Sequence, residues 1–245
     1  MNNLIFTYMK NNFFNSPDIS TNKQLIECID NLHEQFLKAS NNYFTSKILS
    51  KYFCLWKGVF NTYKYDNVSD SFYRYLTCNP TMNDSYETYP YNFYFNGFGS
   101  IYANFDIEYI KTIKHQLPTV NYSDIKPFLD LNATPDNISD FTDYCLNAGS
   151  LIVVELCGSD KCCKIIDGNH RLYFIEKQHL ENFKVSIISF ESLEEKMFIN
   201  KFNYAVYLFF NELNTFPNCN NIFKLYKQYL HCKYFRLLTK AYTFS

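Results

Sequence analysis

The chain has 245 residues with 24 acidic and 23 basic side chains, so its formal net charge is −1. Because 47% of the residues are hydrophobic and 20% are aromatic, the chain can bury a core without disulfides, which excludes a wholly disordered protein. The balanced charge argues against a protein whose main task is to grip a nucleic-acid backbone.

The sequence carries no signal for a membrane or for export. No run approaches the roughly 18 apolar residues that a membrane helix needs, and the first residues lack a basic segment followed by an apolar stretch. We therefore expect a cytoplasmic protein without a membrane partner. Nine cysteines, an odd number with no Cys-x-x-Cys pair, favour reduced thiols in the core over a disulfide framework or a metal cluster.

The first 117 residues are expected to be mainly helical. Apolar residues at helical spacing predict one helix capped by Thr21 and a second over residues 46–63. The segment 77–91 has the composition of a loop, and the aromatic segment 91–105 favours a strand or hairpin. A short helix is predicted for residues 106–116.

The pattern changes after Pro118, where β-branched apolar runs alternate with helical periodicity. The expected elements, in chain order, are a strand at 120–125, a helix at 135–147, a strand at 151–157, a turn at 158–161, a strand at 162–166, a helix at 171–182 and a strand at 184–190.

The chain becomes helical again beyond residue 190. Ser192 with Glu195 matches a capping box, and after a break at 214–221 a last helix is expected from residue 222. We therefore predict an α+β protein with a helical region 1–117, a small mixed sheet with helices in 118–190, and a helical region 191–245.

One motif carries chemistry, namely the run Asp167-Gly168-Asn169-His170-Arg171 between a predicted strand and a predicted helix. A helix that begins there presents backbone N–H groups and its positive dipole end. Arg171 can grip phosphate oxygens bidentately and His170 can donate a hydrogen bond. Asp167 can hold a divalent metal or accept a proton, and the amide of Asn169 can donate and accept.

A purely structural interpretation also fits these residues. Asp-Gly is a common turn dipeptide, Asn169 could cap the helix, and Arg171 could be a solvated surface residue. However, His170 and Arg171 stand together at the start of an otherwise apolar helix, where packing alone gives little reason for them. This placement favours a site for a phosphorylated ligand, most simply a nucleotide.

The segment Ile-Ile-Asp-Gly-Asn-His-Arg-Leu at 165–172 resembles the signature of the ParB/sulfiredoxin superfamily, and the order of elements over 118–190 is also similar. Members hydrolyse CTP as DNA-sliding clamps, phosphorylate a cysteine sulfinic acid, or phosphorylate free serine from ADP. The resemblance implies that Gly168, His170 and Arg171 hold phosphates and that Asp167 serves Mg²⁺ or catalysis.

The chain departs from the known members in two places. The catalytic cysteine of sulfiredoxin would fall at Asn169, and the region after residue 190 is not the basic helix-turn-helix of ParB. The second acidic residue of the serine kinases has Asp124 as its nearest candidate. Lys126 and Lys161 could add positive charge near a phosphate, although isolated lysines usually face solvent.

These observations lead to a functional hypothesis, a nucleotide-dependent phosphotransferase or NTPase that uses ATP, ADP or CTP with Mg²⁺. Asp167 and His170 would be catalytic, Gly168, Asn169, His170 and Arg171 would bind phosphate, and Asp167 would hold the metal. The phosphate acceptor would be a small molecule or a protein. The alternative is a non-catalytic module that binds nucleotide, protein or DNA, and a nuclease is a third interpretation that the charge balance disfavours.

Overall fold

The computed structural model describes residues 19, 21–40, 43–62, 88–95, 99–129, 150–155, 163–177, 179–180 and 183–213. Within them the chain forms six α-helices and two small sheets, which confirms the α+β class. The chain divides into two compact units, one made of residues 1–86, 90–104 and 198–245 and the other of residues 87–89 and 105–197. The second unit contains the whole segment 118–190 and extends beyond it at both ends.

In the first unit, two helices form where the apolar periodicity predicts them. Helix α1 (Asn22–Ala39) begins after Thr21, whose hydroxyl accepts from the Gln24 N–H while the Gln24 side chain accepts from the Thr21 N–H. This reciprocal pair is a capping box, so the predicted cap is confirmed. Helix α2 (Tyr43–Thr62) includes the range predicted for the second helix except its last residue.

The core of the first unit is built around a helix with no exposed face. All residues of helix α6 (Lys201–Leu213) from Phe202 onward are buried, as expected for a helix that is apolar almost all round. Rings of Tyr52, Trp56 and Phe60 in α2 lie between 4.9 and 6.0 Å from the Phe209 ring. These rings of α2 and α6 are therefore core material.

The prediction that Ser192 and Glu195 form a capping box at the start of a helix is wrong. Ser192 ends a 3₁₀ turn (Phe190–Ser192), in which its N–H donates to the hydroxyl of Ser189 at 3.2 Å and its own hydroxyl donates back to the Ser189 carbonyl at 2.9 Å. The hydroxyl of Ser192 is therefore used by the preceding turn. A second 3₁₀ turn (Glu195–Met197) follows, and α6 begins only at Lys201.

Strands β1 (Thr88–Phe95) and β2 (Gly99–Asp106) form a two-stranded sheet. This confirms the strand or hairpin predicted for residues 91–105. Strand β1 begins at Thr88, within the segment predicted to be a loop. Helix α3 (Ile107–Ile113) follows at once, with the carboxylate of Asp106 accepting from the Tyr109 N–H at 2.8 Å. A 3₁₀ turn (Lys114–Gln116) continues it, so the helix predicted for 106–116 is confirmed.

The second unit contains a four-stranded mixed sheet. Its strands are β3 (Thr119–Asn121), β4 (Leu151–Glu155), β5 (Cys163–Asp167) and β6 (Lys184–Ile188). Their order is β3-β6-β4-β5, with β4 antiparallel to β5 and parallel to β6, and β3 antiparallel to β6.

Two predicted boundaries change in this unit. The strand predicted for 120–125 ends at Asn121, and helix α4 (Tyr122–Ile125) replaces its second half because the two buried residues, Tyr122 and Ile125, are three positions apart. Helix α5 (Asn169–Lys177) begins two residues before the predicted 171 and is over by His179, whose φ of 53° is left-handed.

Helix α5 packs on the sheet through Leu172 and Ile175, in a core that also holds Leu151, Ile165 and Val185. The helix predicted at 135–147, the turn at 158–161 and the last helix lie outside the described residues. Among the described helices, none combines the length and the apolar character that crossing a membrane requires.

Candidate functional site

The predicted motif lies where β5 ends and α5 begins. Asp167 is the last residue of β5, Gly168 has a φ of +96°, and Asn169 is the first residue of α5. A Cβ on Gly168 would stand 2.7 Å from Leu151 Cδ2 and 2.9 Å from Arg171 Nε. Both the backbone conformation and the close packing therefore require glycine at this position.

Arg171 is part of the interior of this turn. Its Nη2 donates to Asp167 Oδ2 at 2.6 Å and its Nη1 donates to the Ser150 carbonyl oxygen at 3.1 Å. The side chains of Asp167 and Arg171 are each only 10% exposed. The interpretation of Arg171 as a solvated surface residue is therefore wrong, because one helical turn carries its guanidinium back over Gly168 to the end of β5.

Two lysines from α3 and the turn after it reach the same place. Lys111 Nζ lies 3.9 Å from Asp167 Oδ1, and Lys114 Nζ donates to the Ser150 carbonyl oxygen at 2.6 Å. Burial and then the charge of Arg171 lower the pKa of Lys114; Lys111 also lowers it and Asp167 opposes the change. The positive groups are thus close enough to act on one another.

Ser150 joins these groups to the sheet. Its carbonyl oxygen accepts from both Lys114 and Arg171, and its hydroxyl lies 2.7 Å from the hydroxyl of Ser186, which is buried on β6. The residue just before β4 is therefore an anchor for two cations of the site.

Sequence reasoning missed Lys111, Lys114 and Ser150. The available signal was the spacing of the two lysines, since residues three apart in a predicted helical segment share a face. That face could not be assigned to the motif because α3 precedes residue 118, and the sequence pattern gave no reason to join it to the core segment.

The other predicted residues have mixed outcomes. His170 is the second residue of α5 in its backbone, but its side chain lies outside what the structure describes. Asp124 is exposed on α4, where its carboxylate accepts from the Ser123 hydroxyl at 3.5 Å. Lys126 pairs with Glu176 at 2.9 Å, and Lys161 lies outside the described residues.

Asp167 lies among positive groups. Its Oδ2 accepts from Arg171 Nη2 at 2.6 Å, and its Oδ1 lies 3.9 Å from Lys111 Nζ. Moreover, no group of three or more His, Cys, Asp or Glu side chains with metal-binding geometry occurs in the part of the chain that the structure describes.

The arrangement is chemically suited to an anion. Positive groups from α3, the turn that follows it and α5 meet beside the first turn of α5, where backbone N–H groups have no intrahelical acceptor. Comparison with protein-family models, with curated proteins and with solved structures finds no match. The functional proposal therefore depends on the residues of this chain.

Proposed function

We propose that the second unit binds the phosphates of a nucleotide at the turn around Gly168, in the manner of the ParB/sulfiredoxin superfamily. The observation that carries this proposal is that Lys111, Lys114 and Arg171 all contact either Asp167 or the carbonyl of Ser150. Bringing three cationic groups to one turn costs repulsion, and a bound phosphate would offset that repulsion.

The backbone supports the same ligand class. The positive φ of Gly168 directs the chain straight from β5 into α5, whose first N–H groups and dipole favour negative charge. A phosphate group would therefore meet backbone donors and cationic side chains together.

The order of elements supports a ParB-like core. Strand β4, the returning strand β5, the motif, α5 and the parallel strand β6 follow one another as the resemblance implies. On this proposal the nucleotide is ATP, ADP or CTP, and the activity is phosphotransfer or NTP hydrolysis with Asp167 and His170 near the reacting phosphate.

A second candidate is a nucleotide-binding module without turnover, and one observation favours it. Asp167, the proposed catalytic carboxylate, is already engaged by Arg171 and lies near Lys111, and this arrangement is explained by a structural role of the carboxylate without any turnover. A phosphate-release assay separates the two candidates, since binding with release of phosphate supports the enzyme and binding without release supports the module.

Isothermal titration of the purified chain with ATP, ADP and CTP, each with and without Mg²⁺, tests the shared proposal. We expect saturable binding of at least one nucleotide, competition by inorganic triphosphate, and weakening at high salt because the contacts are ionic. Lys23→Met serves as a charge control, since Lys23 is 86% exposed on α1 in the first unit. Absence of binding for all three nucleotides at low salt contradicts the proposal.

A further inference from the structure

The exposed residues of helix α2 lie on one side of it. Because an α-helix has about 3.6 residues per turn, they fall within a stripe about 100° wide. The stripe, called the α2 face below, consists of Tyr43, Phe44, Lys47, Lys51, Cys54, Asn61 and Thr62. The opposite side of α2 packs on the buried helix α6 through its aromatic rings.

The α2 face is positively charged. Helix α2 contains three lysines and no aspartate or glutamate. Lys57 pairs with Asp30 of α1, but within the described residues no acidic side chain lies within ion-pair distance of Lys47 or Lys51. These two exposed lysines are four positions apart, so they are neighbours on the helix surface and repel one another.

On helix α1, by contrast, exposed lysines have local partners. Lys23 lies 3.8 Å from Glu27, and Lys38 lies 3.8 Å from Glu34, each one helical turn away. Helix α2 lacks this local compensation. Carboxylates supplied by another molecule would offset the repulsion between its two lysines.

Two exposed aromatic rings stand at the start of the same face. Tyr43 is 74% exposed and Phe44 is 65% exposed, and their rings lie 5.8 Å apart in an edge-to-face arrangement. Covering such rings is favourable, and aromatic residues are enriched where proteins meet. A molecule that complements the α2 face therefore needs apolar groups as well as carboxylates.

A protein segment meets both needs better than other anionic partners do. Two lysines are few for an anionic membrane, which attracts clusters of basic residues, and few for a nucleic acid, which is held by several phosphate contacts. Carboxylates one turn apart on an amphipathic helix match the spacing of Lys47 and Lys51. The apolar side chains of such a helix remain available for the two rings.

We infer that the α2 face binds a partner protein through an acidic amphipathic segment. Its carboxylates meet Lys47 and Lys51, and its apolar side chains cover Tyr43 and Phe44. This inference is independent of the phosphate site, because it uses only residues of the first unit.

Selection of phage-displayed random peptides of 20 residues, the length of α2, tests this inference with the full chain as bait. We expect enriched peptides to combine Asp or Glu four positions apart with apolar residues. A synthetic copy of the most enriched peptide is then titrated. The double variant Lys47→Gln/Lys51→Gln should bind it about tenfold more weakly and with less dependence on salt, because two ionic contacts are lost.

Two further variants complete the test. Tyr43→Ser should also weaken peptide binding, since an exposed ring is no longer covered. Lys23→Gln/Lys38→Gln removes the same charge from α1 and should leave the affinity within about twofold of the wild type. The urea midpoints of all these variants should stay close to that of the wild type, because the changed side chains are exposed.

Three results would overturn the inference. The first is that no acidic peptide is enriched, and the second is equal affinity of the peptide for the wild-type chain and for Lys47→Gln/Lys51→Gln. The third is lysine-dependent binding of phosphatidylserine–phosphatidylcholine vesicles or single-stranded RNA that is tighter than binding of the peptide. The partner of the α2 face would then be a membrane or a nucleic acid.

Discussion

At the scale of single residues, position 168 has two requirements that only glycine meets. Its φ of +96° lies in the left-handed region, and the position of a Cβ is taken by Leu151 and by the guanidinium of Arg171. The turn between β5 and α5 thus owes its shape to the absence of a side chain as much as to the charges around it.

Gly168→Ala should therefore lower the free energy of unfolding by about 2 kcal/mol or more, through backbone strain and displacement of its neighbours. Urea denaturation followed by circular dichroism measures the loss. Gly58→Ala in α2 is the matched control, since Gly58 does not have a positive φ and alanine favours helix. Equal midpoints for Gly168→Ala and the wild-type chain contradict this reading of the turn.

At the scale of elements, α4 and α5 are linked by a small polar cluster. The hydroxyl of Tyr122 donates to Glu176, and Lys126 Nζ lies 2.9 Å from the other carboxylate oxygen. Burial and the hydrogen bond to Glu176 raise the pKa of Tyr122. Burial raises the pKa of Glu176, but hydrogen bonds from Tyr122 and Lys126 and the charge of Lys126 lower it more, so the net change is downward.

This lowered pKa gives stability a defined dependence on pH. A carboxylate with a lower pKa in the folded chain stabilises it above the unfolded pKa of about 4.3, and the contribution is lost as pH falls through the folded pKa. We expect Glu176→Gln to lower the free energy of unfolding by under about 1 kcal/mol at pH 7, since the group is partly exposed.

Urea titrations of both proteins from pH 7 downward measure this effect, and the difference between them should shrink towards the acid end. A difference that grows as the pH falls would mean that the pKa of Glu176 is raised, contrary to the contacts seen.

The same local sequence rule has two outcomes at this scale. Thr21 and Gln24 match a capping box and form it at the start of α1. Ser192 and Glu195 match the same pattern, but Ser192 ends a 3₁₀ turn that begins after Ser189, and the next α-helix begins only at Lys201. The pattern therefore predicts a helix start only where the residues that follow it continue as a helix.

At the scale of the whole molecule, the first unit is organised by a buried helix that includes an acidic residue. Glu212 of α6 is buried and accepts from the Tyr52 hydroxyl at 2.7 Å. In the same unit Asn203 of α6 accepts from the Asn104 N–H at 2.7 Å. These hydrogen bonds require a defined geometry, so they help to fix the position of α6 in the aromatic core.

Tyr52→Phe should lower the free energy of unfolding by about 1–3 kcal/mol, because the buried carboxylate of Glu212 loses a donor while the ring remains in place. Tyr43→Phe makes the same chemical change on the same helix, where the ring is 74% exposed, and should have an effect within about 0.5 kcal/mol. Chemical denaturation of both variants compares them, and equal losses would show that the bond to Glu212 is not the cause.

The α+β class and most described elements could be predicted from sequence because helical and alternating periodicities record which faces are buried. The motif could be found because strand, glycine and helix are contiguous. Lys111 and Lys114 could not be assigned to the site, because segments that are distant in sequence must pack together before these lysines lie near Asp167. The burial of Arg171 could not be predicted either. An arginine four residues after an aspartate can form the same ion pair on an exposed helix surface and in a core, so the spacing does not indicate burial.

The packing of Arg171 over Gly168 has a consequence for reading other sequences. The acid, the glycine and the arginine here depend on one another for folding alone: the acid needs its counter-ion, and the counter-ion needs the space that glycine leaves. These three residues in a sequence can therefore be explained by the stability of the turn alone, without a ligand. Under the proposed function, a phosphate site differs from a turn that only connects a strand to a helix by a further basic group from another element, and Lys111 of α3 is such a group.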